Sequence, residues 1–324
     1  MFVVWRCSTG YISLHKLLAH VHSACGSYRY SVAAVKETAS KSLTLFLVGC
    51  SYTLSPQLFD RAALEFPMRL RSWISSFGRS SVDICRVLET ADRQRTVLVS
   101  GVARFVCMDF AKGISVPFPE AAKRHLLPAS PPPAVRCFPN VEVPESAPVG
   151  SFLSTIKVRY DDMDINWHSR HYVYTALALE CAAEAAAAGY YSRIHDDIAF
   201  YRPRSTTCIH LSESFAGDEL KFNTWQDSGN AMLLHFLVEN PQQKTCYINV
   251  EFDVNAVHSK LWRWRSCRSR GCNRAVYTAY FIRPYRSTVW VKKNLPLRFS
   301  EIFSQTVGNF YSIFYTPIIL SFLH

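Results

Sequence analysis

The sequence predicts an α+β protein in which antiparallel sheets pack on long helices. Three observations lead to this class: strand-like runs joined by short polar turns, an alanine-rich helix in the second half, and a proline-rich stretch between the halves. A long apolar helix must bury its surface against another layer, and an antiparallel sheet can supply that layer. Hydrophobic residues make up 49% of the 324 residues, which is enough for a packed core.

The first half begins with a predicted helix and continues as a meander of strands. The apolar residues of segment 12–23 recur on one helical face. Runs of alternating apolar residues then predict strands at 43–53, 65–76, 80–90 and 97–108, followed by a short helix at 120–127.

Residues 128–150 contain seven prolines and predict a linker. Proline cannot donate a ladder hydrogen bond, so such a stretch is unsuited to the interior of a sheet or helix. The predicted organisation is an N-terminal extension with part of the first helix (1–40), a first domain (41–127), the linker (128–150), a second domain (151–255) and a tail (256–324).

The second half has the clearer pattern. A strand at 152–160 leads into an irregular crossing at 161–171, and a helix at 172–190 follows, ending near Gly189. Four strands complete the half, at 205–215, 219–226, 231–239 and 244–254. Because the first half also shows a helix with a meander, the two halves look like a duplication.

The net charge of +11 is concentrated in the tail. Residues 256–324 carry eleven Lys and Arg against one Glu, so the rest of the chain is nearly neutral. The charge of that larger part therefore does not indicate that it binds a polyanion. No nucleic acid is therefore expected as a partner, although a basic tail that binds one remains an alternative. The uncharged segment 302–323 is long enough to cross a bilayer, but its polar residues make stable membrane insertion an unexpected outcome.

The eleven cysteines form no framework, and most lie in apolar runs. A reducing compartment is expected, and the cytoplasm is favoured. The first 36 residues lack acids, which leaves a mitochondrial transit peptide as the alternative. Cys267 and Cys272 are the one close pair, and zinc would need more ligands than they provide.

One polar loop stands out between the strand and the helix of the second half. Asp162, Asp164, Asn166 and His168 alternate with apolar residues. If the segment is extended, all four side chains point the same way. A carboxylate, an amide and an imidazole gathered before a helix are typical of a catalytic site. A cation site is a less favoured alternative, since a hard cation needs more carboxylates and a glycine turn.

The run Asp162-Met-Asp-Ile-Asn-Trp-His168, with Tyr174 shortly after it, resembles the signature of the acyl-ACP thioesterases of plant and bacterial type. These enzymes belong to the hotdog-fold thioesterases. The segment from Glu213 to the Gly217-Asp218 turn is similar to the strand that bears a Glu-Cys pair in that family, with Ser214 in place of the cysteine. The resemblance covers roughly residues 43–254 and implies a tandem double hotdog, each unit being an antiparallel sheet wrapped around a long central helix.

The resemblance also implies the site. It makes Asp164, Asn166, His168 and Glu213 the catalytic group, which would hydrolyse fatty acyl-ACP or acyl-CoA. Asp162, Arg170 and Tyr174 would support the loop, and no cofactor or metal is expected. Glu213 or Asp164 could activate water, and the N-terminal amides of the helix could hold the oxyanion.

The chain departs from the family pattern where Trp167 precedes the histidine and where Arg170-His171 replaces a pair of asparagines. These departures leave a second hypothesis open: the protein is catalytically impaired and only binds acyl groups or acts as a scaffold. A monomer and a homodimer both agree with a tandem in which the two halves pair.

Overall fold

A computed structural model describes residues 14–23, 32–37, 42–59, 68–126, 137–164, 167–254 and 319–320. All of these residues belong to one compact unit. Most of the predicted tail, the Cys267–Cys272 pair and Asn166 lie outside the described residues. Among the residues described, no helix is long and apolar enough to cross a membrane.

The first half contains short helices and a strand meander, close to the prediction. Its elements are α1 (Leu14–Ser23), α2 (32–37), β1 (Leu43–Leu54), β2 (Met68–Phe77), β3 (Ser81–Thr90), β4 (Val97–Asp109), β5 (Ile114–Ser115) and α3 (Glu120–Leu126). The strands β2, β3 and β4 pair in chain order, and β1 returns to pair antiparallel with β4.

The second half contains one long helix and five strands. Its elements are β6 (Phe152–Lys157), α4 (His171–Ala187), β7 (Pro203–His210), β8 (Glu219–Gln226), β9 (Leu233–Glu239) and β10 (Lys244–Phe252). A two-residue strand, β11 (Ile319–Leu320), pairs parallel with β2. Gly189, with φ of +71°, follows α4, and this left-handed conformation is one that glycine adopts without strain.

All eleven strands form one large sheet, which is almost entirely antiparallel. Along the sheet, the order is β11-β2-β3-β4-β1-β7-β10-β9-β8-β6, with β5 attached to β4. The halves meet at the pairing of β1 with β7, where residues 49–53 lie opposite residues 205–209. The hydroxyl groups of Ser51 and Thr207 are 2.9 Å apart across this seam.

Helix α4 covers one face of the second-half sheet, against β6, β8 and β10. The alternate residues Cys246, Ile248 and Val250 of β10 are fully buried, as the period of a strand with one covered face requires. On the helix, Ala178, Ala182 and Ala185 are fully buried. Alanine favours the helix and lets its backbone approach a sheet closely.

The described part of the linker is held against polar groups of both halves. The backbone N–H of Phe138 donates to the buried carboxylate of Asp83 at 3.2 Å, and Arg104 donates to the same carboxylate at 2.7 Å. The Phe138 ring lies 5.0 Å from the Arg104 guanidinium. Further along, the Lys244 ammonium donates to the Pro144 carbonyl at 3.1 Å. The linker therefore contacts β3, β4 and β10.

The strand predicted at 205–215 is wrong at its C-terminal end. Strand β7 stops at His210, because the N–H groups of Leu211 and Ser212 both donate to the Thr245 carbonyl instead of continuing the ladder. Glu213 therefore lies in the loop after β7 and not on a strand. The strand predicted at 152–160 likewise ends early, at Lys157, and a short 3₁₀ turn begins at Tyr160.

Candidate active site

The polar loop before α4 is a compact turn, so the predicted extended geometry is wrong. Residues Tyr160–Asp162 form a 3₁₀ turn, and Met163 then bridges to Ser169. The N–H of Asp164 donates to the His168 carbonyl at 2.8 Å, which closes the loop on itself. The local hydrogen bonds outweigh the alternating sequence pattern, since a short loop must satisfy its own buried backbone groups.

Trp167 adopts a left-handed conformation at the tip of this turn, with φ of +66°. A bulky residue rarely has this conformation, and it persists only where the surroundings enforce it. Its indole is 62% exposed and lies edge-on to the ring of Tyr160, with the ring centroids 5.8 Å apart.

Asp162 is a buried residue whose hydrogen bonds hold the loop in place. Its buried carboxylate accepts the Arg159 backbone N–H at 2.8 Å and the Arg159 guanidinium at 3.2 Å. The hydrogen bond and the negative charge of Asp162 raise the pKa of Arg159. The Asp162 carbonyl accepts the backbone N–H of Arg170, whose guanidinium donates to the Asp161 carbonyl at 3.0 Å. These contacts join the 3₁₀ turn to the start of α4.

The side chains of His168 and Glu213 approach each other beside this loop. The His168 Nε2 atom lies 3.3 Å from Glu213 Oε2. The histidine side chain is 21% exposed and the glutamate side chain 49% exposed, so the pair is open to solvent on one side. The Oδ1 atom of Asp164 accepts the backbone N–H of His168 at 3.3 Å. The structure thus brings three of the four predicted catalytic residues together, and Asn166 is the one not described.

A buried chain of hydroxyl groups connects the two loops that carry His168 and Glu213. The Tyr174 and Ser214 hydroxyls are 2.8 Å apart, and the Ser214 hydroxyl donates to the Ser169 hydroxyl at 2.8 Å. The Ser169 N–H also donates to the Ser214 carbonyl at 2.9 Å. Burial raises the pKa of Tyr174, so this phenol stays protonated. Ser214 is fully buried, and its hydroxyl is hydrogen-bonded to both neighbouring hydroxyls of this network. It is therefore a structural link between the two loops.

A second polar cluster lies in the interior, between the sheet and α4, and it was not predicted from the sequence. The guanidinium of Arg86, which is 1% exposed, donates to the Tyr52 hydroxyl at 2.7 Å. Burial, together with the nearby His210 and the positive charge of Arg86, holds the pKa of His171 well below its usual value. The Cys208 sulfur is 3.6 Å from His210 Nε2.

The thiols of this interior cluster are poor nucleophiles. A hydrogen bond with Cys246 and then burial raise the pKa of Cys208, and burial raises the pKa of Cys50. Because the thiolate is the reactive form, neither group is prepared for attack. Within the described part of the chain, no set of three His, Cys, Asp or Glu side chains is arranged to hold a metal ion.

Two solved structures share this architecture. An acyl-ACP thioesterase from Bacteroides thetaiotaomicron superposes with a TM-score of 0.56 at 17% identity, over 77% of this chain and 93% of the other. A 12:0-ACP thioesterase from Umbellularia californica superposes with a TM-score of 0.58 at 12% identity, over 77% and 93%. The chain has the fold of these acyl-ACP thioesterases. No family model matches the chain, and no curated protein sequence matches it.

This likeness in fold agrees with the resemblance noted in the sequence. The single large antiparallel sheet with few helices is the part of the predicted fold class that it supports. The sequence analysis did not predict that Arg86 lies in the interior, on the side of the sheet that faces α4. Its position among Val82, Ile84 and Leu88 on one face of the strand could have indicated this. The sequence also did not indicate that the ring of Phe46 lies 6.5 Å from that of His168.

Proposed function

We propose that this protein hydrolyses fatty acyl thioesters, acyl-ACP or acyl-CoA, to a free fatty acid and a thiol. The observation that carries the proposal is the 3.3 Å approach of His168 Nε2 to Glu213 Oε2 at a solvent-open loop. The two residues come from separate parts of the chain, and the fold is shared with thioesterases. Such an activity would belong to fatty acid biosynthesis or another branch of lipid metabolism.

In the proposed reaction, Glu213 is the general base and His168 orients it. Glu213 takes a proton from water as the water oxygen attacks the thioester carbonyl carbon, which forms a tetrahedral oxyanion. The carbon–sulfur bond then breaks, and the proton passes from Glu213 to the departing thiolate. Asp164 holds the His168 backbone, and the undescribed Asn166 remains a proposed partner of the water or carbonyl. No metal or cofactor takes part in this scheme.

The oxyanion needs donors that are already in place, and the N-terminus of α4 is the proposed source. Helix N-termini present amides without intrahelical acceptors and a positive dipole end. Helix α4 begins at His171, three residues after His168. The N–H of Arg170 is taken by the Asp162 carbonyl and that of Val173 by the Arg170 carbonyl, so these two amides are not the proposed donors.

The proposed organisation is a tandem of two hotdog units, with the chemistry in the second. In each half, strands pair in a meander; helix α4 packs on strands of the second half, and α1 packs against α4. We retain 41–127 and 151–255 as the proposed domains, with 1–40 as the extension, 128–150 as the linker and 256–324 as the tail. Because the halves pair with each other at β1 and β7, a monomer already has a continuous sheet, and a homodimer is a further proposed state.

Thiol release by the full-length chain tests the proposal. Purified protein is given acyl-CoA or acyl-ACP, and free thiol is followed with a chromogenic disulfide. Removing the base by Glu213→Gln is expected to lower kcat by about 100-fold or more, the usual effect of losing a general base. The matched control is Glu219→Gln, an exposed acid at the start of β8.

Equal rates for wild type and Glu213→Gln would refute the assignment of the base. A wild-type protein that binds acyl chains tightly but releases no thiol would support the second candidate, an impaired acyl-binding or scaffolding protein. The observation that favours this alternative is the left-handed Trp167 beside His168, because a bulky side chain at such a position constrains the loop.

A further inference from the structure

The ring of Phe138, in the linker, lies on the seam between the two halves of the sheet. Cys50 of β1 is buried on one face at 4% exposure, and side chains alternate along a strand, so Gly49 faces the opposite side. A Cβ atom added to Gly49 would lie 2.6 Å from the Cζ atom of Phe138, so the ring packs directly on this glycine. Gly49 is also the residue at which β1 begins to pair with β7, opposite Ile209.

Contacts with both halves hold the linker across this seam. In the first half, the carboxylate of Asp83 on β3 accepts the Phe138 N–H at 3.2 Å. Asp83 is itself fixed in place, because its 2% exposed side chain accepts two hydrogen bonds from Arg104, at 2.7 and 2.9 Å. The Arg104 guanidinium also lies 5.0 Å from the Phe138 ring. In the second half, the Lys244 ammonium on β10 donates to the Pro144 carbonyl at 3.1 Å.

The linker between these two anchors has little slack. Strands β3 and β10 are separated by four steps in the order β3-β4-β1-β7-β10, which at about 4.8 Å per step is about 19 Å. The six residues that follow Phe138, up to Pro144, span at most about 21 Å when fully extended. Because the two lengths are similar, separation of the halves at the seam must release one of the anchors.

We infer that residues 138–144 are a strap that keeps the β1–β7 seam closed, with Phe138 as its main attachment. The seam pairing covers residues 49–53 opposite 205–209, which is short beside the pairing of β1 with β4 over residues 43–54. A short pairing opens more readily than a long one, because fewer contacts must be lost. The contacts of the strap are lost in the same opening, so they raise its free energy. This inference does not depend on the proposed hydrolysis.

Closure of the seam also determines what lies beside the candidate active site. Phe46 lies on β1 shortly before the seam pairing begins, and its ring lies 6.5 Å from the ring of His168 in the second half. Opening of the seam would move β1, and Phe46 with it, away from His168. The strap is therefore a conformational device that keeps the first half against the candidate site.

Amide hydrogen exchange of the full-length protein measures how often the seam opens. In Phe138→Ala, the amides of residues 49–53 and 205–209 are expected to exchange about tenfold faster than in wild type, because a partly buried aromatic ring no longer attaches the strap. Phe138→Leu keeps much of the apolar area, so its exchange is expected to rise less than about threefold.

The matched control is Val149→Ala, which truncates a fully exposed side chain of the same linker. Its seam exchange is expected to stay within about twofold of wild type. Unchanged seam exchange in Phe138→Ala would overturn the inference, even if the overall stability fell, because the seam would then open without releasing the linker.

A longer linker tests the lack of slack without removing a contact. Insertion of Gly-Ser-Gly between Asn140 and Val141, inside the strap, is expected to speed seam exchange about threefold or more, because the two anchors then limit separation less. The same insertion between Val149 and Gly150, outside the strap, is expected to change exchange less than about twofold. Equal effects of the two insertions would overturn the inference.

The contact between Phe138 and Gly49 has a test of its own. Gly49→Ala places a methyl group where the far end of the ring lies, so it displaces the ring and is expected to speed seam exchange about as much as Phe138→Ala does. Because both substitutions act through one contact, the double variant should exchange within about twofold of the faster single variant. If the two effects instead multiplied, the ring would not hold the seam through Gly49, and the inference would be overturned.

Discussion

The hydroxyl chain beneath the active-site loops makes Ser214 and Tyr174 energetically coupled. Ser214→Ala removes the acceptor or donor that lies 2.8 Å from the Tyr174 hydroxyl. That phenol stays buried, since Tyr174 is only 3% exposed, and it cannot turn to water. The Ser169 hydroxyl also lies near this phenol. A buried hydroxyl that loses a hydrogen-bond partner costs about 1–3 kcal/mol, so we expect Ser214→Ala to lower the free energy of unfolding by about 2 kcal/mol.

Tyr174→Phe should be milder, because Ser214 keeps its hydrogen bond to Ser169. We expect it to cost about 1 kcal/mol. In the double variant Ser214→Ala/Tyr174→Phe no phenol remains to be satisfied, so the loss should be about 1 kcal/mol smaller than the sum of the single losses. Urea unfolding of the full-length chain, followed by circular dichroism, measures all four proteins.

The control is Ser212→Ala, whose hydroxyl donates to the Lys244 carbonyl at 2.9 Å and has no part in the chain of hydroxyls. It should add independently to Tyr174→Phe, within about 0.5 kcal/mol. If Ser214→Ala and Tyr174→Phe were also additive within that margin, the reasoning from a shared buried hydrogen bond would be refuted. Because Ser214 adjoins Glu213, kcat is expected to fall in Ser214→Ala even at temperatures where the protein remains folded.

Three further outcomes are expected. Asp162→Asn should lower the free energy of unfolding in urea by about 1–2 kcal/mol and should lower kcat, because it weakens the charged hydrogen bonds that hold the loop. The control Asp161→Asn, at an exposed position, should change neither quantity. Equal effects of the two substitutions would contradict the role given to Asp162. Burial keeps the pKa of His171 well below 6.5, so its neutral form belongs to the folded state and stability should be lost as pH falls below about 6.5. Unfolding titrations of wild type and His171→Phe should show this loss in wild type, and an identical pH slope in both would refute the assignment. Gly101→Ala should lower the free energy of unfolding by at least about 2 kcal/mol, because the added Cβ would overlap a tyrosine ring and a carbonyl oxygen. The control Gly229→Ala meets only an ordinary 3.4 Å contact, so its melting temperature should stay within about 2 °C of wild type.

The strand and helix pattern was readable from the sequence because burial imposes its period. The predicted strand at 219–226 coincides with β8, and the predicted meander of the first half is present within a few residues at each end. Ends of elements were less predictable. Strand β7 ends at His210 because the amides of Leu211 and Ser212 both donate to the Thr245 carbonyl. That carbonyl belongs to the neighbouring strand, so the local sequence does not show where β7 ends.

The sequence allowed a candidate site to be proposed, but it did not predict the geometry of that site. The resemblance to the thioesterases put His168 and Glu213 in one predicted group, and the two side chains lie 3.3 Å apart. The alternation that suggested one extended row of side chains was misleading, because Asp162 faces Arg159 in the interior of the turn. The Phe46 ring lies near His168 on a part of β1 that extends past β7, and such a long-range register carries no local sequence signal.

The seam between β1 and β7 also has a kinetic consequence. Ser51 and Thr207 meet there although 156 positions separate them in the chain, whereas β2, β3 and β4 pair with strand neighbours along the sequence. Closing a long loop costs entropy before its contacts contribute, so such pairings form late. Each half should therefore form its own meander first, and the seam should close last. Until it does, both β1 and β7 present unpaired edges, and those edges could join two different chains at high protein concentration.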